Sequence, residues 1–244
     1  MQTPTVRITL VTGANKGIGF EIARQIGKAG HLVLLGARDA TLGEAAAAAL
    51  RAEDVDARFI HIDLGKPATI QAAAAAIDAN HGRLDVLVNN AGIADRADGP
   101  PSKTSIDAVR RSFDTNFFGT LAVTQGMLPL LRKSPSARIV NVSSELGSLT
   151  HNSDPAWDFA QYKFLGYSAS KAAVNMLTVQ LASELKETGI KVNSADPGFT
   201  ATDLNNHRGS QTIPEGAAAA IRLALLPYDG PTGGFFGASR VQPW

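Results

Sequence analysis

Short apolar runs rich in β-branched residues alternate with longer stretches of helical character along the whole chain. Arg7–Thr12 (RITLVT), His31–Gly36 (HLVLLG), Ala57–Ile62 (ARFIHI), Leu84–Asn89 (LDVLVN), Arg138–Ser143 (RIVNVS) and Ile190–Ala195 (IKVNSA) read as strands. Their nearly unbroken hydrophobicity is the pattern of strands buried on both faces, which favours a parallel sheet. Helical segments are predicted near 17–29, 41–52, 67–80, 103–132, 167–187 and 214–226, and a short strand candidate follows at Gly234–Phe236. Alanine blocks at 45–49, 72–76 and 217–220 fall inside those segments and fit alanine's helix propensity. The alternation predicts an α/β fold: a Rossmann-like doubly wound parallel sheet with helices on both faces. No linker or repeat divides the chain. One domain over 1–244 is expected, with a cofactor half to about residue 135 and a catalytic and substrate half after it.

Composition narrows the function classes. A net charge of +1 over 244 residues argues against a basic nucleic-acid footprint. The chain has no cysteine, so disulfides, thiolate nucleophiles and cysteine-ligated metals are excluded, and a reducing cytoplasm is the expected compartment. The opening MQTPTVRITLVTG goes directly into a strand without a leader pattern, and no run of about 18 apolar residues suggests a membrane span. His31, His61, His81, His151 and His207 are scattered and show no metal-ligand spacing, so no metal is expected. His151 and His207 are read only as residues that border a pocket.

In doubly wound sheets ligands bind beyond the carboxyl ends of the strands, so the residues just after each strand carry the chemistry. After the first strand comes TGANKGIG, with glycines at 13, 17 and 19. They permit a tight turn, close approach of a pyrophosphate and a helix N-terminus that attracts anions. The second strand ends LLGARD. An acidic residue would hold a ribose 2′-hydroxyl here, but Ala37 and Arg38 stand in its place. A guanidinium there suits a 2′-phosphate, with Lys16 as a second cation, so NADP(H) is preferred to NAD. A solvated Arg38, or an Asp39 that itself reads a ribose, is the competing account. Asp39 is read first as a helix N-cap.

Taken in chain order, these strand ends resemble the short-chain dehydrogenase/reductase family, of single-domain type and similar to its carbonyl-reductase members. The resemblance spans nearly the full chain: TGANKGIG, then HIDLG, NNAG, NFFGT, NVSS, YSASK and DPGFTATDL. It implies that Gly13, Asn15, Lys16, Gly17, Ile18, Gly19, Arg38, Asp63, Leu64, Asn90, Ala91, Gly92, Pro197, Gly198, Thr200 and Thr202 hold NADP(H), Thr200 mainly through its main chain. It implies a catalytic set of Asn116, Ser144, Tyr167 and Lys171, with Tyr167 and Lys171 also touching the cofactor. Tyr167 is the expected proton donor or acceptor. An ordinary phenol titrates near pH 10, and a lysine four residues on shares its helix face and should lower that value. Ser144 would donate to the substrate oxygen, with Ser143 as its rival. Asn116 would extend the proton relay, its alternative being a solvated or capping role.

Between Ser144 and Tyr167 the chain carries an insertion of roughly ten residues relative to simple family members, centred on HNSDPAWDFAQYKF. Its rings, Trp157, Phe159, Tyr162 and Phe164, either pack onto the following helix or wall the substrate pocket, Trp157 first among them. The implied reaction is hydride transfer between NADP(H) and a carbonyl/alcohol pair, most naturally the reduction of ketones, aldehydes or quinones. The alternatives are an epimerase or dehydratase on the same Tyr/Lys pair, and a non-catalytic NADP(H) sensor or scaffold. The helix after the insertion is one that many family members use for subunit pairing, so a homo-oligomer is expected slightly ahead of a monomer.

The cofactor reading makes a measurable demand. Unmodified protein should use NADPH in clear preference to NADH, and Arg38→Asp should lose that preference. One charged hydrogen bond lost is worth roughly 1.5–3 kcal/mol, or one to two decades in kcat/KM.

Overall fold

The computed structural model describes residues 6–244, so the first five residues, read above for a leader, lie outside the described residues. Seven strands form one sheet: β1 (Ile8–Thr12), β2 (Leu32–Ala37), β3 (Ala57–His61), β4 (Val86–Asn89), β5 (Arg138–Val142), β6 (Lys191–Ala195) and β7 (Phe235–Phe236). Their order is β3-β2-β1-β4-β5-β6-β7, and every pairing is parallel. The order reverses between β1 and β4, which opens a crevice at the carboxyl ends of those strands.

Alternate residues of each strand face opposite layers. Val11, Val33, Leu35, Val88 and Val140 pack with Ile22 and Ile26 of helix α1 (Gly17–Lys28), Leu50 of α2 (Ala40–Arg51) and Leu223 of α8 (Ile213–Ala224). Leu10, Leu34, Leu87, Ile139 and Val192 pack on the other side. Their partners there are Ile77 of α3 (Pro67–His81), Met127 of α5 (Thr120–Leu131) and Leu181 of α7 (Leu165–Glu184). The doubly wound, two-faced parallel sheet read from the sequence is therefore the fold observed. Asp39 caps α2 as read, its Oδ1 accepting from Leu42 N at 2.9 Å.

The predicted helix over 103–132 is not continuous. It divides into α4 (Ile106–Phe113), a π-helical stretch over Asp114–Gly119, and α5. The wide turn carries Asn116, whose side chain is bonded to neighbouring segments rather than to its own helix. In the same stretch Gly119 meets Leu64, where a Cβ would stand 2.7 Å from the Leu64 Cβ. Part of the 150–165 insertion forms a short helix, α6 (Leu149–Ser153), that the sequence pattern did not suggest.

At the amino ends of the strands, away from the crevice, Arg138 is fully buried at the start of β5. Its guanidinium donates to Leu226 O, Pro227 O and Ala137 O at 2.8–3.1 Å, closing the carbonyls beyond α8. Arg138→Leu would leave those acceptors buried and unpaired. It should cost about 2–4 kcal/mol of stability, with Tm falling about 2–4 °C per kcal/mol. Turnover per folded molecule should stay unchanged, as calorimetry paired with activity assays would show.

Candidate active site

The Gly-rich turn is built where backbone must come close to backbone. Gly13 and Gly17 have φ of +63° and +59°, the left-handed region open to glycine. At Gly19 a Cβ would lie 2.3 Å from Asn90 Nδ2 and 2.5 Å from Gly13 O. Asn90 Nδ2 donates to Thr12 O (2.9 Å) and Gly13 O (3.2 Å), while Thr12 Oγ1 accepts from Asn90 N (3.0 Å) and Ala91 N (3.1 Å). Asn90, Ala91 and Gly92 after β4 are thus locked to the turn after β1. No side chain caps the start of α1, so the amides at Gly17, Ile18 and Gly19 are the helix's free donors beside the half-buried Asn15.

Around this cradle the predicted contacts are only partly assembled. Arg38 follows β2 with its side chain exposed, and its carbonyl lies 3.1 Å from His61 Nε2. Asp63 Oδ1 accepts from Gly65 N at 3.0 Å, and Leu64 packs on Gly119. Lys16 does not stand free as the second cation: its Nζ pairs with Asp203 Oδ2 at 2.6 Å, and His207 Nε2 lies 2.8 Å from the other oxygen of Asp203. The Pro197–Thr202 lip after β6 turns through Gly198 at φ +64°, and Thr200 Oγ1 donates to Pro197 O at 2.8 Å. Its main chain is engaged as well, Thr200 N donating to Gly198 O at 3.0 Å and Thr200 O accepting from Asn205 Nδ2 at 2.8 Å, so the main-chain role expected of Thr200 is not set up in this structure. Thr202 opens the 3₁₀ turn over Asp203–Asn205.

The second half of the site hangs on α7. No side chain of its own segment caps that helix. Asp98, distant in sequence, does so: its Oδ2 accepts from Tyr167 N (2.8 Å) and its Oδ1 from Gly166 N (3.0 Å). Tyr167 and Lys171 sit one turn apart, the Lys171 Nζ 5.7 Å from the Tyr167 ring centre. Lys171 is almost wholly buried and donates to Val142 O at 2.8 Å. Asn116 Nδ2 donates to Ile93 O (2.9 Å) and Ser170 Oγ (3.0 Å), and its Oδ1 accepts from Ile93 N (2.8 Å). A Cβ on Gly92 would lie 3.2 Å from Asn116 Oδ1 and 3.5 Å from Lys171 Nζ, so these three residues converge. Ser144 Oγ accepts from Leu146 N at 3.2 Å and stands near enough to Tyr167 to act on its phenol. Its rival Ser143 faces the other way, onto Lys171 O.

The electrostatics differ from expectation. Lysine four residues on was expected to lower the Tyr167 pKa. Instead burial pushes the phenol up to about 12; Ser144 opposes this and the Asp196 charge adds to it. Burial also lowers Lys171 to about 8. Lys171 is almost wholly buried against Gly147 of the serine turn and spends a hydrogen bond on Val142 O, whereas Tyr167 keeps part of its surface in contact with solvent.

The insertion forms an aromatic chain. His151 stacks on Trp157 (5.0 Å between centres), Trp157 meets Phe159 (5.6 Å), and Phe159 and Tyr162 meet Phe199 (5.9 and 6.4 Å). Phe199 belongs to the lip, so the insertion packs on that lip rather than on α7 alone. Sequence reasoning missed Asp98, Phe199, Glu145, Asp196 and Gln242. Asp98 and Gln242 carry no local signal, whereas Asp196 stands directly before the Pro-Gly segment and could have been singled out. Among the described residues no group of three or more His, Asp or Glu could hold a metal, and no helix is long and apolar enough to cross a membrane.

The family model described as short chain dehydrogenase matches residues 7–212. Carbonyl reductase (NADPH) 3 of Rattus norvegicus is 36% identical, covering 98% of each chain. (+)-Neomenthol dehydrogenase of Capsicum annuum is 31% identical, again over 98% of each. Among solved structures, NADPH-bound carbonyl reductase from chicken fatty liver superposes with a TM-score of 0.84 at 28% identity, covering 98% of this chain and 99% of that one. Salutaridine reductase of Papaver somniferum gives 0.82 at 30% identity, covering 94% and 99%.

The buried amine has a signature in stability. Below pH about 8 Lys171 is charged in folded and unfolded chain alike, and burial makes that charge a cost to the fold. As pH rises from about 8 to the free-lysine value of 10.5 the cost is relieved. Wild type should therefore gain stability relative to Lys171→Met across that window. Urea midpoints of the two proteins at pH 7 and pH 10 check this; a constant difference would exclude a depressed lysine.

Proposed function

We propose how this chain, which belongs to the short-chain dehydrogenase family, divides its reaction among its residues. It is an NADP-dependent oxidoreductase of the carbonyl-reductase type, acting on a carbonyl/alcohol pair. The cradle fits a dinucleotide: the cleared space at Gly19, the left-handed glycines and the free amides of α1 leave backbone donors where a pyrophosphate would lie. Gly13, Asn15, Gly17, Ile18 and Gly19 would hold the phosphates, and Arg38 with Lys16 the 2′-phosphate. Asp63 and Leu64 would border the adenine, Asn90, Ala91 and Gly92 the central part, and the 197–202 lip the nicotinamide end. The cofactor supplies the hydride.

The protein manages the oxygen. The observation that carries this reading is Tyr167, held protonated by burial to about pH 12 beside Ser144 and beneath the buried Lys171. A phenol in that state carries the proton that carbonyl reduction consumes, and its pKa would have to fall in the complex for efficient transfer. Ser144 Oγ orients the carbonyl oxygen and stabilises charge developing on it. Asn116 is tied through Ser170 Oγ to the Tyr167 main-chain carbonyl, which fixes this turn of α7, and Lys171 stands behind the phenol. Trp157, Phe159 and Tyr162, packed on Phe199, form the apolar wall that sorts carbonyl substrates by shape. The relatives named above are reductases and dehydrogenases, which gives the epimerase and sensor alternatives no support.

The cysteine-free chain suits a reducing cytoplasm. Exposed Met176 and Val179, neighbours on α7, supply an apolar strip for pairing with a second copy.

NADPH oxidation with a panel of ketones, aldehydes and quinones tests the assignment. Tyr167→Phe should bind NADPH nearly as tightly as wild type while kcat falls by at least about 10²-fold. A phenylalanine variant that keeps most of its turnover would remove Tyr167 from the chemistry.

A further inference from the structure

One buried carboxylate stands between the serine turn and the lip with no part in the scheme above. Asp196 follows β6 and is 4% exposed. Its Oδ1 accepts from two backbone amides, Glu145 N and Gly198 N, each at 3.1 Å. The first belongs to the residue directly after Ser144, the second to the turn of the Pro197–Thr202 lip. Its Oδ2 accepts from Gln242 Nε2 at 2.6 Å. Gln242 is buried in turn, and its backbone amide donates to Phe235 O at 2.8 Å. Two contacts fix this C-terminal segment further: Thr150 N donates to Trp244 O at 3.0 Å, and Trp244 stacks on Phe235 at 5.6 Å.

Three N–H donors converge on Asp196, one more than the two lone pairs of a single amide or hydroxyl oxygen can accept, so both carboxylate oxygens are in use. A carboxylate is a costly choice here, because a second one, Glu145, is buried beside it and only Arg240, 3.7 Å away, offers Glu145 a cation. The cost shows in both groups. Burial first, then the Asp196 charge, pushes Glu145 up to about 7, and burial raises Asp196 despite its hydrogen bonds. A charge kept at such a cost next to reacting groups points to function.

We propose that Asp196 is a positioning residue of the reaction: through Glu145 N and Gly198 N it fixes Ser144 against the lip, and Gln242 of the C-terminal segment fixes Asp196. The inference rests on the roles given above to Ser144 and Tyr167. The charge has a second effect, since it helps keep the Tyr167 phenol protonated. The groups facing these carboxyls are Ser144 and Glu145 from the serine turn, Asp158 from the insertion, Tyr167 and Lys171 from α7, and Arg240 from the C-terminal segment. His151 Nε2 touches Gln242 Oε1 at 3.4 Å.

Asp196→Asn, Gln242→Leu and the double variant, made in the full chain and checked for folding by circular dichroism, test this. Activity is read with NADPH and whichever panel carbonyl the wild type reduces fastest. Each single variant should lower kcat by on the order of ten- to a hundred-fold, with NADPH binding close to wild type. The double variant should be no worse than the weaker single, because both act through one bond. In cofactor-free protein, tyrosinate absorbance against a Tyr167→Phe background should show Tyr167 titrating at lower pH in Asp196→Asn. A packing role alone would not move that titration. Wild-type kcat with an unshifted Tyr167 in Asp196→Asn overturns the proposal, and so do losses that multiply in the double variant. Should Asp196→Asn fail to fold, a folded Gln242→Leu decides: lowered kcat supports the proposal and wild-type kcat overturns it. An active Tyr167→Phe overturns the underlying mechanism and this inference together; an inactive one beside a normal Asp196→Asn overturns this inference alone.

Discussion

Burial of the central strands on both faces is the constraint from which the site follows. β1, β2, β4 and β5 are buried at every position. Polar chemistry can then reach solvent only at the strand ends, and in a parallel sheet those ends are of two kinds. At the amino ends Arg138 closes carbonyls; at the carboxyl ends the cradle, the serine turn and the lip emerge side by side. Polar groups inside the sheet are spent on fixing this geometry. Asn89 donates to Thr124 and Asn141, Asn141 donates to Thr178, and Thr178 is bonded to Ser194, all at 2.8–2.9 Å. That chain ties β4, β5 and β6 to α5 and α7. The helix bearing Tyr167 and Lys171 is thereby held by directional bonds, where apolar packing alone would let it slide.

Holding the pair in place has an electrostatic consequence. Desolvation raises a phenol and lowers an amine, so burial alone moves both toward neutrality. The result is a phenol that keeps its proton. At about 12 it is protonated at neutral pH but a weak acid, poorly matched to proton transfer until something lowers it. Ser144 is the group that pulls down, and Asp196 pulls up. Burial sets how acidic Tyr167 is in the cofactor-free chain, these two neighbours adjust it, and the lysine four residues on does not bring it down.

The parts legible in the sequence are those whose physics is local. Strand runs announced themselves by unbroken hydrophobicity, and Asp39 lay directly before the helix it caps. The glycines of the first turn marked a place where backbone meets backbone, although the partner they meet, Asn90, follows a different strand. What escaped was contributed from afar. Asp98 caps a helix beginning far along the chain. The π-helical stretch around Asn116 (DTNFFG) is poor in helix formers, but weak propensity does not specify a wide turn; its bonds to Ile93 and Ser170 exist only after folding. The sign of the Tyr167 shift escaped for the same reason, since burial and the position of Asp196 are properties of the assembled site.

The pairing of Lys16 with Asp203 competes with the role given to Lys16 at a 2′-phosphate, and the energetics resolve the conflict. Both side chains are more than half exposed, so the contact is a surface ion pair despite its 2.6 Å length. Such pairs contribute on the order of 0–1 kcal/mol. A dianionic 2′-phosphate held by Arg38 and Lys16 would gain charge-assisted hydrogen bonds, each about twice as strong as a neutral one. Exchange of Asp203 for phosphate is therefore downhill for Lys16. Asp203 would not be stranded either, because His207 already lies 2.8 Å from its second oxygen and it is open to water. The ion pair joins the turn after β1 to the segment after β6, two strand ends that the parallel sheet places on the same side of the molecule.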